Sequence, residues 1–215
     1  MTAGHLQRSL ELMDKRLEAA SVRKDLREKI RQCVVLHGSP APGLLIGAFM
    51  ADYALELLGT GPEAGKIFSV CETPKCAPDA LQIIAGSTTG NGRLKIIPIG
   101  KFAVTLNAAT DSPTADAVRV YIDMEKLKKF PVIDCWYANS PSYDKHTMDV
   151  SLQEQIFRAG REILSYERVR VRVTKKEKWK PVTCSCCGEP VPDYLAEGNR
   201  CGACGSMKYY EKISR

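Results

Sequence analysis

Cys184-Ser185-Cys186-Cys187-Gly188 and, further on, Arg200-Cys201-Gly202-Ala203-Cys204-Gly205 are the stretches that decide how this chain is read. They contain two Cys-x-x-Cys pairs, Cys184/Cys187 and Cys201/Cys204, separated by thirteen residues. Each pair can set two thiolates on one tight turn, and the glycine that follows can adopt the positive φ such a knuckle needs. Four thiolates converging in this way match the tetrahedral preference of Zn²⁺, so the segment reads as a zinc ribbon. Cys186 lies too close to Cys184 to replace a member of its pair and is expected to be a bystander thiol. Unligated or disulfide-bonded cysteines are the bland alternative.

Outward from the ribbon, the totals bound the rest. A chain of 215 residues, 44% of them hydrophobic, can bury one good core and still carry a small second module. No apolar run approaches the ~20 residues needed to span a bilayer, and no charged-then-apolar leader opens the chain. The expectation is a soluble protein that does not enter a membrane. Nine cysteines suit a reducing compartment with metal use better than a disulfide framework, which points to the cytoplasm.

The net charge of +6 becomes informative once located. Arg168, Arg170, Arg172, Lys175, Lys176, Lys178 and Lys180 supply seven positive charges and Glu177 removes one, so this segment accounts for the whole excess. The ribbon is balanced, with Arg200, Lys208, Lys212 and Arg215 against Glu189, Asp193, Glu197 and Glu211. A ribbon that gripped phosphates would carry its own positive excess. The charge lies on the linker instead.

Apolar periodicity organises the remainder. Leu6, Leu10, Met13 and Leu17 recur at helical spacing, and after Ser21, read as an N-cap, Val22, Leu26, Ile30 and Val34 form a second stripe ending at His37-Gly38. The first stripe is free to pack on the body or on a second copy of the chain, and a homodimer is the expected assembly. Ser39 to Gly43 is a loop, because its two prolines hold their predecessors extended. Leu44 to Leu58 is the central helix, with small residues for close packing and Gly59 as its stop. Its first amides would point back at the loop holding His37, a good place for an anion or thiolate. Strands are expected at Lys66–Cys71, Leu94–Ile97, Lys101–Leu106 and Val118–Ile122, a short helix at Ala80–Ala85, and a longer helix from Ser151. Arg168-Val169-Arg170-Val171-Arg172-Val173 alternates as a strand with one apolar face. The reading is α+β: a mixed helix and antiparallel-sheet body over residues 1–167 (1–20 its N-terminal helix), a basic strand and linker over 168–182, and the ribbon over 183–215.

His37 at a helix end beside a Pro/Gly loop, and Cys76 just before a helix start, are settings that favour a ligating or reactive side chain. A lone His or Cys is more often structural. The Gly-rich loop Gly86 to Gly92 is neither a P-loop nor a dinucleotide fingerprint and reads as a turn. Cys135 and Trp136 read as core residues and His146 as a surface one.

Leu36-His37-Gly38-Ser39-Pro40-Ala41-Pro42-Gly43-Leu44, then Glu72-Thr73-Pro74-Lys75-Cys76-Ala77-Pro78-Asp79-Ala80-Leu81-Gln82, resemble the family of the formylmethanofuran dehydrogenase E-subunit. Gly86-Ser87-Thr88-Thr89-Gly90-Asn91-Gly92, Gly100-Lys101 and the terminal Cys-x-x-Cys-Gly-Glu knuckle do so too, in the family's order. The resemblance runs from about Lys24 to Cys204. It implies a metal-binding α+β body with a C-terminal zinc ribbon, associated with tungsten- or molybdenum-dependent oxidoreductase subunits. It does not imply the catalytic subunit, and the redox chemistry would belong to partners.

The departures thin the site. The family's His-Gly-His-x-Cys-Pro-Gly has Ser39 and Ala41 here in place of its second His and its Cys, and its Gly-Cys-Thr is Gly86-Ser87-Thr88. His37, Cys76 and Asp79 (a ligand or an orienter) remain, a ligand-poor set that would leave an open position on a second metal ion; the alternative is a body that has lost its metal and kept the fold. The function expected is therefore a metal-binding accessory protein with a structural zinc ribbon and a second metal or small-ligand site in the body. Lys101 would neutralise an acidic ligand there. The alternative is a zinc-ribbon nucleic-acid-binding or regulatory protein, supported by the basic linker and Trp179. An enzyme with Cys76 as nucleophile and His37 as base ranks last, since the sequence names no third orienting residue.

Overall fold

The computed structural model describes residues 3–173, 178–211 and 213, with side chains from residue 7 onward. Lys175, Lys176 and Glu177 of the basic linker and Lys212 and Arg215 of the ribbon lie outside the described residues, as does the side chain of Leu6 in the first stripe. The chain divides into a body, residues 1–173, and a C-terminal unit, residues 174–215.

Three helices open the body: α1 (Ala3–Ala19), α2 (Lys24–His37) and α3 (Pro42–Leu58). There follow β1 (Ile67–Cys71), α4 (Ala77–Ile84), β2 (Leu94–Ile96), β3 (Ala103–Ala108), β4 (Thr114–Ile122), α5 (Met124–Leu127), α6 (Pro131–Tyr137), α7 (Lys145–Ala159) and β5 (Leu164–Arg172). The strands form one sheet in the order β2-β1-β3-β4-β5. β1 and β2 run parallel and the other neighbours antiparallel, so the α+β body is built on a mixed sheet. Among the described residues no helix is long and apolar enough to cross a membrane.

α3 is central because its sequence is apolar almost all round. Leu44, Leu45, Ile46, Ala48, Met50 and Ala51 are at most 1% exposed, which an amphipathic surface helix could not show. Pro42 stands in its first turn, where a missing N–H costs nothing, and Gly59 closes it in the left-handed conformation. Gly47 lets α4 approach: a Cβ there would stand 3.0 Å from Ala77 Cα. The loop before α4 is thereby pinned against α3.

The first stripe is consumed inside the chain. Leu10, Met13 and Leu17 are buried, α1 packs on α2 and α7, and Arg16 donates to Gln153 at 3.1 Å. These three residues are therefore packed on the body of their own chain. Ser21 is not an N-cap: its φ is +57°, and α2 starts at Lys24 after Arg23, whose side chain pairs with Asp25 and with buried Asp52. Asp52 also receives Arg161 at 2.6 Å, so two guanidiniums satisfy one buried carboxylate.

The basic strand belongs to the body. β5 pairs with β4 through nine successive residues, from Thr114 opposite Arg172 to Ile122 opposite Leu164. That ladder moves the boundary expected at 167/168 to 173/174 and leaves only the residues after Val173 to connect the units. In the C-terminal unit, β6 (Pro181–Thr183) pairs with β7 (Pro190–Pro192), and β8 (Ala196–Glu197) with β9 (Arg200–Cys201). None of the nine cysteines is in a disulfide.

Candidate metal centre

In the C-terminal unit the four knuckle cysteines converge. The sulfurs of Cys184, Cys187, Cys201 and Cys204 all lie within 4.8 Å of one another, with Cys184 and Cys201 buried. Cys187 and Cys201 sulfurs stand 3.9 Å apart, while a tetrahedral ion with bonds of about 2.3 Å needs sulfur separations of about 3.8 Å. The donors therefore fit Zn²⁺ in size and chemistry.

The local backbone explains the convergence. Gly188, at φ +77°, returns its N–H to the Cys184 carbonyl at 2.9 Å and closes the first knuckle. The second is a 3-10 turn, Gly202–Cys204, and its glycine departs from expectation: Gly205 closes the turn onto Gly202 at φ −113°. The Cys201 amide donates to Cys184 sulfur at 3.3 Å. That bond, with amides of Cys187 and Cys186 also aimed at the sulfur, lowers the Cys184 thiol to about 6. The Cys204 thiol is instead held up, first by its hydrogen bond with Cys201 and then by burial. Sulfurs this close resist ionising together, which is the situation a divalent cation resolves. Cys186 stays outside the group: it is exposed and accepts from Arg200 Nε at 3.2 Å.

The body brings together part of the other set. His37 is the last residue of α2, released by Gly38 at φ +85°. Its Nδ1 lies 2.7 Å from Asp79 Oδ2 on α4. A carboxylate oxygen only accepts, so Nδ1 carries a proton, and in the neutral ring Nε2 keeps the lone pair that an electrophile or metal would take. Gln82 donates to the other Asp79 oxygen at 3.1 Å and fixes the carboxylate. Of the two roles open to Asp79, ligand or orienter, this contact fits the orienter.

Cys76 is held differently. Its φ of +53° and ψ of −57°, with Ala77 N–H donating to Lys75 carbonyl at 2.6 Å, describe a strained γ-turn centred on the cysteine. The turn sets the thiol against the first turn of α3, where a Cβ on Gly43 would meet Cys76 sulfur at 3.4 Å and Phe102 at 3.4 Å. Burial and then the charge of Asp79 push the Cys76 thiol up. Among the described residues, the ribbon cysteines are the only group of three or more His, Cys, Asp or Glu close enough to share an ion. His37 and Asp79 are in contact, and Cys76 is not gathered with them.

Sequence reading missed Cys33. It lies one turn before His37 on α2, is fully buried, and is pushed up to about 12 by burial and by the Asp79 charge among other groups. The i, i+4 spacing of Cys33 and His37 was the available signal. Ser87, which stands where the family has a cysteine, is wired into the sheet: it accepts from Ser69 at 2.9 Å and donates to the Ile67 carbonyl at 2.8 Å. Ala41 precedes α3 with no side-chain cap, and His146 is exposed on α7.

An α+β body with a helix-end histidine fixed by a carboxylate, followed by a four-cysteine ribbon, defines the class. The family model described as FmdE, molybdenum formylmethanofuran dehydrogenase operon, matches residues 36–180, and the chain belongs to that family. The crystal structure of an FmdE-like protein from Syntrophus aciditrophicus, named for the E-subunit of tungsten formylmethanofuran dehydrogenase, superposes with a TM-score of 0.70 at 34% identity, covering 86% of this chain and 95% of that one. A probable S-adenosyl-L-methionine-binding protein of Archaeoglobus fulgidus is 29% identical over 118 residues. That match covers 53% of this chain and only 31% of the relative's length.

Proposed function

We propose that the protein is a metal-binding accessory protein of the FmdE type, cytoplasmic and homodimeric, serving molybdenum- or tungsten-dependent oxidoreductase subunits. Its ribbon holds Zn²⁺ as a structural ion, and its body holds a second metal or small ligand at His37. The four converging sulfurs carry the first part. The 2.7 Å His37–Asp79 contact supports the second, because it presents Nε2 in the tautomer that metal-binding histidines use. Cys76 joins the ligands only if its strained turn moves toward His37, and Asp79 acts as orienter. Catalysis is left to the partner subunits.

Metal content per chain, measured on the full protein and its variants, tests both parts. Cys184→Ser is expected to remove one zinc, and His37→Ala to remove a second ion while leaving the first. Zinc retained in Cys184→Ser would refute the ribbon assignment. A single metal per chain, unaffected by His37→Ala, would refute a metal in the body site.

The nucleic-acid reading draws on Trp179, 49% exposed, beside exposed Lys178 and Lys180. Quenching of Trp179 fluorescence by oligonucleotides at low salt would support it. An unchanged spectrum would remove it.

A further inference from the structure

We propose that the outer edge of β5 is a docking site for an extended acidic segment of a partner protein, which adds to the body sheet as a further strand. β5 is an edge strand of the sheet, and its ladder with β4 runs nine residues without a proline or bulge. Lys126 Nζ donates to the Leu164 carbonyl at 2.6 Å, so the outer row of backbone groups from Tyr166 to Arg172 is the template for one more strand.

The side chains specify what kind of strand. Arg168, Arg170 and Arg172 share one face of β5 and all are exposed; Val169 and Val171 share the other and are half-buried. Arg170 pairs with Asp116 of β4 at 2.9 Å, an exposed ion pair of little stabilising value. Arg168 and Arg172 make no ion pair among the described residues. Two open clefts of about 380 and 410 Å³ lie over the β4–β5 pair and over the β3–β4 turn, and both reach Arg170 and Asp116, so the arginine face of this end of the sheet is open.

β4 already shows the pattern β5 accepts. Ala115-Asp116-Ala117 stands opposite Val171-Arg170-Val169, so an acid faces an arginine and small apolar residues face valines. Cross-strand partners lie on the same face, hence the outer edge offers the same two faces to a second strand. A segment alternating acidic and apolar residues would place its carboxylates along Arg168, Arg170 and Arg172 and its apolar residues along Val169 and Val171.

Other occupants fit less of the edge. A single-stranded nucleic acid would use the arginines and leave the valine face and the backbone row unused. A second copy pairing antiparallel through Arg168–Arg172 of both chains sets at least one arginine against another, and like charges directly opposite are destabilising. Charged edges commonly guard a sheet against aggregation. Here the charges that repel like strands also select an acidic one.

The test uses the full chain and a fluorescent peptide of about ten residues alternating Glu and Val, a length that matches β5. Expected is saturable binding at low salt, weakened about two- to fivefold by each of Arg168→Gln and Arg172→Gln. Binding should be lost on Arg168→Glu/Arg172→Glu, whose exposed sites leave the fold intact by circular dichroism. A peptide of the same sequence N-methylated at alternate residues keeps every charge but cannot complete the ladder, and should bind at least tenfold more weakly. Four results overturn the proposal. They are no saturable binding of the parent peptide, equal binding of the methylated one, tighter competition by oligothymidylate of equal charge, and a dimer that dissociates on arginine reversal.

Discussion

The strained turn at Cys76 makes a prediction that inverts an ordinary rule. At most positions beside a helix, replacing a residue by Gly costs more than replacing it by Ala, because Gly loses more backbone freedom on folding. At Cys76 the backbone sits at φ +53° and ψ −57°, where a Cβ costs about 1–3 kcal/mol and a glycine nothing comparable. Cys76→Gly and Cys76→Ala both remove the sulfur and its contact with α3, so that loss cancels between them. Against the relief stand the extra entropy of glycine in the unfolded chain, about 0.4–1 kcal/mol, and the burial of one methyl, at most about 0.8 kcal/mol. The balance favours Cys76→Gly over Cys76→Ala by about 1 kcal/mol, or about 2–4 °C in Tm for a chain of this size. Urea and thermal unfolding of the two variants, followed by helical circular dichroism, measure the difference. If Cys76→Ala proves equal or more stable, the strain is at most about 2 kcal/mol and the cysteine is not held there at a net conformational cost.

Gly47→Ala should destabilise by about 1–3 kcal/mol despite the better helix propensity of alanine, because its Cβ would press on the Ala77 backbone; urea midpoints read the loss. Glu72 gives a pH dependence: Arg119 donates to both its oxygens, at 2.6 and 2.9 Å, and holds its carboxyl below the usual glutamate range. Because the folded value is lowered, the contribution is present above about pH 4.3 and lost as pH falls through the folded value, so wild type should lose more stability than Glu72→Gln on acidification, and parallel profiles would contradict this. Chelation should erase ordered amide signals from the ribbon hairpins while sparing the helical circular dichroism of the body, since the units are separate. Cys186→Ser should keep the ribbon metal; its loss would show that Cys186, rather than one of the four clustered thiols, is a ligand.

Local chemistry explains which features are legible in the sequence. Cysteine spacing defines the ribbon because four soft donors within thirty residues admit few geometries, and the apolar run at Leu44 defines the central helix because burial on all sides needs apolar residues on all sides. The Arg/Val alternation of β5 shows a strand but reads as part of a linker, since only the ladder with β4 shows whose strand it is. The short helices α5 and α6 escape notice because elements of four and seven residues hold too few positions for a period to emerge. Asp123 caps the first of them through the amides of Glu125 and Lys126, the one local cue present.

The body site is half legible for a related reason. His37 and Cys76 draw notice as residue types, whereas Asp79 owes its role to a contact between residues forty-two apart that only helix packing creates. That packing rests on Gly47 and Gly43, whose missing side chains let α4 and its preceding turn lie against α3. The strained cysteine, the oriented histidine and the two glycines therefore form one mechanical unit. It stands without soft ligands at Ser39, Ala41 and Ser87: Ser87 hydrogen-bonds within the sheet, and His37 is held by the Asp79 carboxylate. Strain of about 1–3 kcal/mol at a non-glycine residue is readily removed by a single substitution to glycine. Its presence at Cys76 argues that the thiol serves something beyond the fold, and the oriented Nε2 of His37 on the neighbouring helix is the group that would share its ligand.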